Sequence, residues 1–249
     1  MRMTIDAPAN SQTAVGGLLS VANTVDSSGL ETFYGVQYLS VLSGHSRVWI
    51  EGEEKVFDKL PTVEGDKFTL YRGIETSLLM QSGVGEPEVL RAFTASAGYG
   101  IEQHLQKLMN DEAVDITPTP GTPVTNIKAA VGLLEQYAAD RYAGLPLLHG
   151  NKLAVELIPE LRDRDGKLFT VNGTPIANGA GYGPEGPGDL TADPAEAWLY
   201  ITGQINIWQE SVEVIEGPSL KENRDRHLAE GTYVATIDGG FTAAILIGF

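Results

Sequence analysis

Between Leu30 and Leu42 the chain reads LETFYGVQYLSVL, with Tyr34, Val36, Tyr38 and Leu42 on one parity and Phe33, Leu39 and Val41 on the other. Apolar residues on both parities predict a strand covered on both sides. Shorter β-prone pieces follow (RVWI, VFDKLPTVEGD, KFTLY), separated by Gly44, Gly52 and Gly65 with acidic neighbours at the turns. They predict an outlying hairpin over 43–66, whose arms of about twelve residues would reach roughly 35 to 40 Å at ~3.3 Å per residue. A two-stranded ribbon of that length is marginal in water, so it is expected to lie on another surface.

The period then changes to that of a helix. Val89, Phe93, Ala97, Ile101, Leu105 and Met109 recur every four residues, with Leu90 and Leu108 widening the stripe. Glu86-Pro87-Glu88 supplies a first-turn proline and acidic side chains at the positive end of the helix dipole. The predicted helix is about twenty residues, or near 30 Å. Gly98 and Gly100 each cost up to ~1 kcal/mol there relative to alanine, which implies a contact that a β-carbon would obstruct, with another backbone close by. DITPTPGTPVT, carrying Pro118, Pro120 and Pro123, reads as a stiff linker and domain boundary.

A second helix is predicted over Asn126–Ala143, with Ile127, Val131, Leu134 and Ala138 inward and Gly144 as a left-handed stop. LPLLHG reads as a buried strand. Asn151 is placed to cap a third helix, KLAVELIPEL, and Asp163-Arg-Asp-Gly to turn into the strand KLFTVNG. TPIANGAGYG opens a glycine- and proline-rich loop running to Pro194, after which AWLYITGQINIW, ESVEVIEG, GTYVATIDG and FTAAILIGF make a strand-rich C-terminal part that ties Phe249 into a sheet. Residues 1–29 are small and polar without period and read as an arm. The pattern is that of an α+β protein.

Composition narrows the function. A chain of 249 residues with 42% hydrophobic residues can bury roughly 70 to 75% of its unfolded surface. There are no cysteines, which excludes disulfides, thiolate catalysis and cysteine-bound metal. No signal-peptide pattern and no run near the ~20 apolar residues of a membrane span occurs, so no membrane partner is expected. Seventeen basic against thirty-three acidic residues give a net charge of −16, which repels phosphate backbones and disfavours nucleic-acid reading while permitting a container that holds DNA without gripping it.

Candidate chemistry is sparse. Asn178-Gly-Ala-Gly-Tyr-Gly is glycine-rich like a phosphate loop, but prolines follow it instead of a helix and there is no Walker lysine, so Gly179, Gly181, Tyr182 and Gly183 read as loop geometry. Asp163-Arg164-Asp165-Gly166 lacks the later ligands of a calcium loop. His45, His104, His149 and His227 are scattered singly and read as surface or interface residues. No G-x-S-x-G elbow is present. Glu51, Glu53 and Glu54 read as a solvated turn. No catalytic, cofactor-binding or metal-binding residue is expected.

The order of these parts resembles the Hong-Kong-97-type coat proteins of tailed phages, a fold shared with encapsulin shells. Ser11–Gly29, Gly44–Asp66, Glu86–Asn110 and Ile127–Ile207 follow the family's order of arm, extended loop, spine helix and axial domain. GLLSV (17–21), LPTVEGDKFTLYRG (60–73), GTPIANGAGYG (173–183), AWLYITG (197–203) and AEGTYVATID (229–238) resemble small coat proteins of actinobacterial phages. The resemblance implies an N-terminal arm at 1–29, an extended loop and flanking strands at 30–80, a spine helix and linker of a peripheral domain at 81–125, an axial domain at 126–207 and return strands of the peripheral domain at 208–249. It implies a non-enzymatic major capsid protein that assembles with itself into hexamers or pentamers of an icosahedral head, is put together in the host cytoplasm, and encloses double-stranded DNA in the virion.

Further roles come with it. Trp49, Glu51, Glu53, Glu54, Phe57 and Asp58 would form a subunit interface on the extended loop. Val89, Phe93, Gly98, Ile101 and Leu105 would pack the spine helix, and Gly179, Gly181, Tyr182 and Gly183 would form the axial loop near a symmetry axis. No charged helical leader precedes the arm, so scaffolding is expected from a separate protein, alongside portal and minor or decoration proteins. The lysine-to-asparagine crosslink of part of the family finds no matching positions. Alternative readings are an encapsulin-like shell, another virion part such as a connector or decoration protein, and a small-molecule-binding α/β enzyme using 144–188 as its pocket.

Overall fold

The computed structural model describes residues 3–4, 17–27, 33–46, 59–77, 86–219 and 224–249. Two seven-stranded sheets share one long helix. Sheet one contains β1 (Met3–Thr4), β2 (Asn23–Asp26), β3 (Gly35–Leu39), β4 (Thr62–Ser77), β11 (Ile205–Gln209), β12 (Glu213–Ser219) and β13 (Arg224–Ile237), in the order β1-β3-β4-β13-β11-β2 with β12 beside the far half of β13. Sheet two contains β5 (Val114–Asp115), β6 (Leu147–Asn151), β7 (Arg162–Arg164), β8 (Lys167–Phe169), β9 (Pro175–Gly179), β10 (Glu196–Thr202) and β14 (Thr242–Gly248), in the order β5-β14-β10-β6-β9-β8-β7. The fold class is α+β, as the pattern predicts.

Helix α1 (Glu86–Glu112) has 27 residues, about 40 Å at 1.5 Å per residue and longer than its sequence suggests. Val89, Phe93, Ala97, Ile101, Leu105 and Met109 are all buried, in one cluster with Ile205, Ile207, Ala229 and Tyr233 of sheet one and Leu147, Trp198, Tyr200 and Leu246 of sheet two. One stripe thus serves both sheets. Full burial of each large side chain contributes roughly 1.5–3 kcal/mol, which outweighs the two glycines.

On the opposite face of sheet two, α2 (Ile127–Ala139) and α3 (Lys152–Glu156) bury Ala130, Val131, Leu134, Ala154 and Val155 against Leu148, Leu199, Ile201, Ile245 and Ile247. Asn126 and Asn151 cap these helices by accepting from the amides of Ala129 and Ala154. Sheet two is therefore covered on both faces, and β14 is buried at every position. In sheet one a buried polar row crosses the strands: Asn23 donates to Asn206, Asn206 to the Tyr38 hydroxyl, and Tyr38 meets Thr236 at 3.2 Å.

Several expectations are corrected. Residues 62–66 pair with 35–39, not with 43–46; Ser43 instead bridges to Tyr142, and β4 runs unbroken through Gly65. The strand around Val36 is covered on one side only, since Tyr34, Leu39 and Val41 are exposed. The proline segment is no free linker: Ile116 and Val124 donate to Ala244 and Leu246, and Leu246 donates to Thr117, so it lies along β14. α2 ends at Asp140 in ordinary helical geometry, and Gly144 is filled over by the Tyr142 ring rather than stopping the helix. α3 stops at Glu156, and 175–179 is a strand parallel to β6 rather than loop. Segment 208–249 divides, with β12 and β13 in sheet one and β14 in sheet two, and β11 already belongs to sheet one.

Candidate functional site

The polar side chains of α1 next to its apolar stripe hold the glycine-rich loop. Glu102, Gln106 and Asn110 follow one another at intervals of four residues, each beside a stripe residue (Ile101, Leu105, Met109), so they line one edge of the buried face. Glu102 is only 4% exposed. Its Oε1 accepts from the Leu18 amide at 3.0 Å and its Oε2 from the Gly181 amide at 2.9 Å. Two backbone donors satisfy the carboxylate where water is excluded.

Three glycines make room for it. A β-carbon on Gly17 would stand 2.6 Å from Glu102 Oε1, and one on Gly179 would overlap the carboxylate itself. At Gly181 a β-carbon would meet Glu102 Cβ at 2.6 Å and overlap the Tyr99 carbonyl. Gly17 also has φ +67°, in the left-handed region where a side chain is strained. Ala180, between the two loop glycines, is exposed.

One turn further along, Gln106 accepts from the Gly183 amide at 2.6 Å and donates to the carbonyls of Gly183 (3.1 Å) and Glu185 (2.7 Å). The next turn brings Asn110 Oδ1 and the Glu185 carbonyl each within 2.8 Å of the Tyr200 hydroxyl. Burial, with Glu185 nearby, holds that hydroxyl well above its ordinary pKa. Gly186 then lies flat on the Trp198 indole.

Tyr182 points the other way, into the core. Its hydroxyl lies 2.9 Å from His149 Nδ1, and His149 Nε2 lies 2.8 Å from Thr202 Oγ1. Thr202 spends its hydrogen on the Gly203 carbonyl, so Nε2–H donates to Thr202 and Nδ1 accepts from Tyr182. The imidazole is neutral: complete burial pushes its pKa down to about 3. Burial first, and the Glu102 carboxylate second, raise the Tyr182 hydroxyl well above its ordinary range. The arrangement has polar partners at each step and positions backbone.

Of the residues singled out from sequence, Val89, Phe93, Ile101 and Leu105 are buried in the helix stripe, and Gly179, Gly181, Tyr182 and Gly183 come together against α1. Gly98 is half-buried, and a β-carbon there would meet only Leu19 Cδ1 at 3.6 Å, an ordinary contact; Gly100 faces the Leu70 side chain. Among the described residues of the single chain, no second backbone is among the atoms nearest to either glycine, so the expected close approach is not made within it. The close approach to the helix is made by Gly181 of the loop, at Tyr99 and Glu102. Trp49, Glu51, Glu53, Glu54, Phe57 and Asp58 lie outside the described residues.

The histidines also differ from expectation. His149 is fully buried, His227 is 5% exposed with Nδ1 3.3 Å from Glu216 Oε1, and His104 stacks on Phe68 at 3.8 Å. Only His45 of the four is exposed. Sequence reasoning missed Glu102, Gln106 and Asn110; the signal available was a four-residue polar repeat in register with the apolar stripe. Among the described residues no group of three His, Asp or Glu side chains is placed to hold a metal ion, and no helix is long and apolar enough to cross a membrane.

No protein-family model and no curated protein matches the sequence. Solved structures do match, over nearly the whole chain. The capsid of an empty GTA particle aligns with TM-score 0.55 at 12% identity, covering 98% of this chain and 95% of that one. A structure from Mycobacterium phage Che8 aligns with TM-score 0.53 at 12% identity, covering 96% of both chains. One from Gordonia phage Cozz aligns with TM-score 0.53 at 11% identity, covering 95% of this chain and 88% of that one. The chain shares the fold of these structures, the Hong-Kong-97-type capsid fold.

Proposed function

We propose that the chain is a major capsid protein, a structural subunit that assembles with copies of itself into the hexamers or pentamers of an icosahedral phage head. The observation that carries the reading is the end-to-end match to the capsid of a GTA particle, which leaves almost no part of either chain unaligned. In this reading sheet one forms the peripheral domain, sheet two with α2 and α3 the axial domain, and α1 the spine. Gly179–Gly183 would then lie near a symmetry axis, and the segment carrying Trp49, Glu51, Glu53, Glu54, Phe57 and Asp58 would reach a neighbouring subunit. The role is non-enzymatic, and the shell belongs to the virion after assembly in the host cytoplasm.

Chemistry supports an enclosing role. At −16 the subunit repels DNA, so a shell of it would hold a packaged genome without immobilising it. Exposed Tyr34, Val41, Tyr71 and Ile215 supply apolar surface for contacts between copies. A scaffolding protein, a portal and decoration proteins would complete the head. Size-exclusion chromatography with light scattering, followed by electron microscopy of the expressed protein, tests the reading. Capsomers or closed megadalton shells are expected; a small oligomer under all assembly conditions would overturn it.

A further inference from the structure

Glu102 bonds to two parts of the chain that also lie directly against each other, the turn at Leu18–Ser20 and the end of β9. One oxygen takes the amide of Leu18, beside Gly17; the other takes the amide of Gly181, in the glycine-rich loop. Both sides are shaped to the carboxylate, Gly17 on one and Gly179 and Gly181 on the other, with no space for a β-carbon. Gly17 and Asn178 are themselves neighbours, the Asn178 carbonyl lying 3.9 Å from the β-carbon position of Gly17. The Glu102 carboxylate is a wall common to both.

We propose that Glu102 is a coupling latch: the geometry of the Gly17–Leu18 turn and that of the Gly179–Gly181 loop are fixed together through its two carboxylate oxygens, so that displacing either one loosens the other. The carboxylate is held by two donors on opposite sides. If the loop withdraws its N–H, one oxygen of a buried anion loses its partner, and the side chain gains by moving toward another donor, which drags it off Leu18. The same holds in reverse, since coupling between two sites is reciprocal. The course of the chain at Gly17 and Leu18 is thereby made to depend on the loop. This holds for the single subunit, whatever that subunit assembles into.

Amide hydrogen exchange on the isolated full chain tests the latch. Gly181→Ala, which forces the loop off Tyr99 and Glu102, is expected to accelerate exchange at Leu18 by about tenfold or more. Gly17→Ala is expected to do the same at Gly181. The amides of Ile245 and Ile247 in β14 should stay protected in both variants as the control for folding. Unchanged Leu18 exchange in Gly181→Ala, or unchanged Gly181 exchange in Gly17→Ala, would overturn the proposal by showing two independent contacts. Should either glycine variant lose β14 protection, Glu102→Gln decides, because it keeps the side chain's size and replaces one acceptor with a donor. Faster exchange at both Leu18 and Gly181 supports the latch, and a change confined to one of them, or to neither, overturns it.

Discussion

The Tyr182 hydroxyl stands 2.9 Å from Nδ1 of His149, so the glycine-rich loop ends its inward reach on a buried imidazole that can accept its proton only while uncharged. Protonating that nitrogen would place a charge on a fully buried ring and oblige the Tyr182 hydroxyl to accept where it now donates.

Stability should therefore depend on acid through His149. Its folded pKa is about 3 against ~6.5 in the unfolded chain. Between those values the unfolded chain binds one proton more, so the contribution is fully present above pH ~6.5 and is lost as pH falls toward 3, at ~1.4 kcal/mol per unit. Urea unfolding of the isolated chain at pH 7, 6 and 5, with His149→Gln alongside, should show the wild type losing about 2 kcal/mol more than the variant over that range. Parallel lines for the two proteins would mean the imidazole is not held neutral.

Gly98 and Gly181 should respond to alanine with opposite signs. At Gly98 the new methyl meets one Leu19 carbon at 3.6 Å, so improved helix propensity dominates and the melting temperature should rise, with a gain of about 0.4–1 kcal/mol. At Gly181 the methyl meets backbone, and a loss of about 1–3 kcal/mol is expected. Thermal denaturation of the two variants checks the pair.

Gln106 makes three hydrogen bonds to the loop. Gln106→Leu leaves one amide and two carbonyls without that partner, and should cost about 2 kcal/mol or more while speeding exchange at Gly183. An unaltered Gly183 amide would show that the loop is held by something else.

Leu105, fully buried, should cost about 2–5 kcal/mol on truncation to alanine. Leu90, 37% exposed on the same helix, should change stability by under ~0.5 kcal/mol. Denaturant midpoints for the two variants measure whether the stripe is as one-sided as its burial.

What the sequence showed of this fold followed the strength of local signals. The stripe from Val89 to Met109 and the caps at Asn126 and Asn151 were legible because periodicity and capping act within a few residues. The partners of β4 were not, because strand register is fixed by contacts far away in sequence: nothing near Thr62 announces Gly35–Leu39 in place of 43–46. The proline segment looked like a linker because its bonds go to β14, more than a hundred positions away. At the site, the loop glycines were found and read as loop geometry, but the glutamate they pack on was not. A helix glycine is conspicuous for its cost, whereas a buried glutamate is visible only once the groups around it are known. His149 was missed for the same reason, a lone polar letter in LPLLHG whose partners Tyr182 and Thr202 arrive 33 and 53 residues later.

The placing of β14 sets a clock on the molecule. Residues 242–248 are not appended to sheet two but lie within it, between β10 and the β5 segment, and one of its bonds spans 129 positions. A nascent chain that has emerged only as far as β13 has made α1 and all the other strands of sheet two, yet the apolar flank of β10 is still waiting for its neighbour. Contacts of such sequence separation form late and slowly, and partly assembled sheets are prone to pairing with the wrong chain. The order of synthesis thus withholds a finished sheet until residue 248 has been made, so that a copy truncated before β14 is left with the flank of β10 open and prone to mispairing.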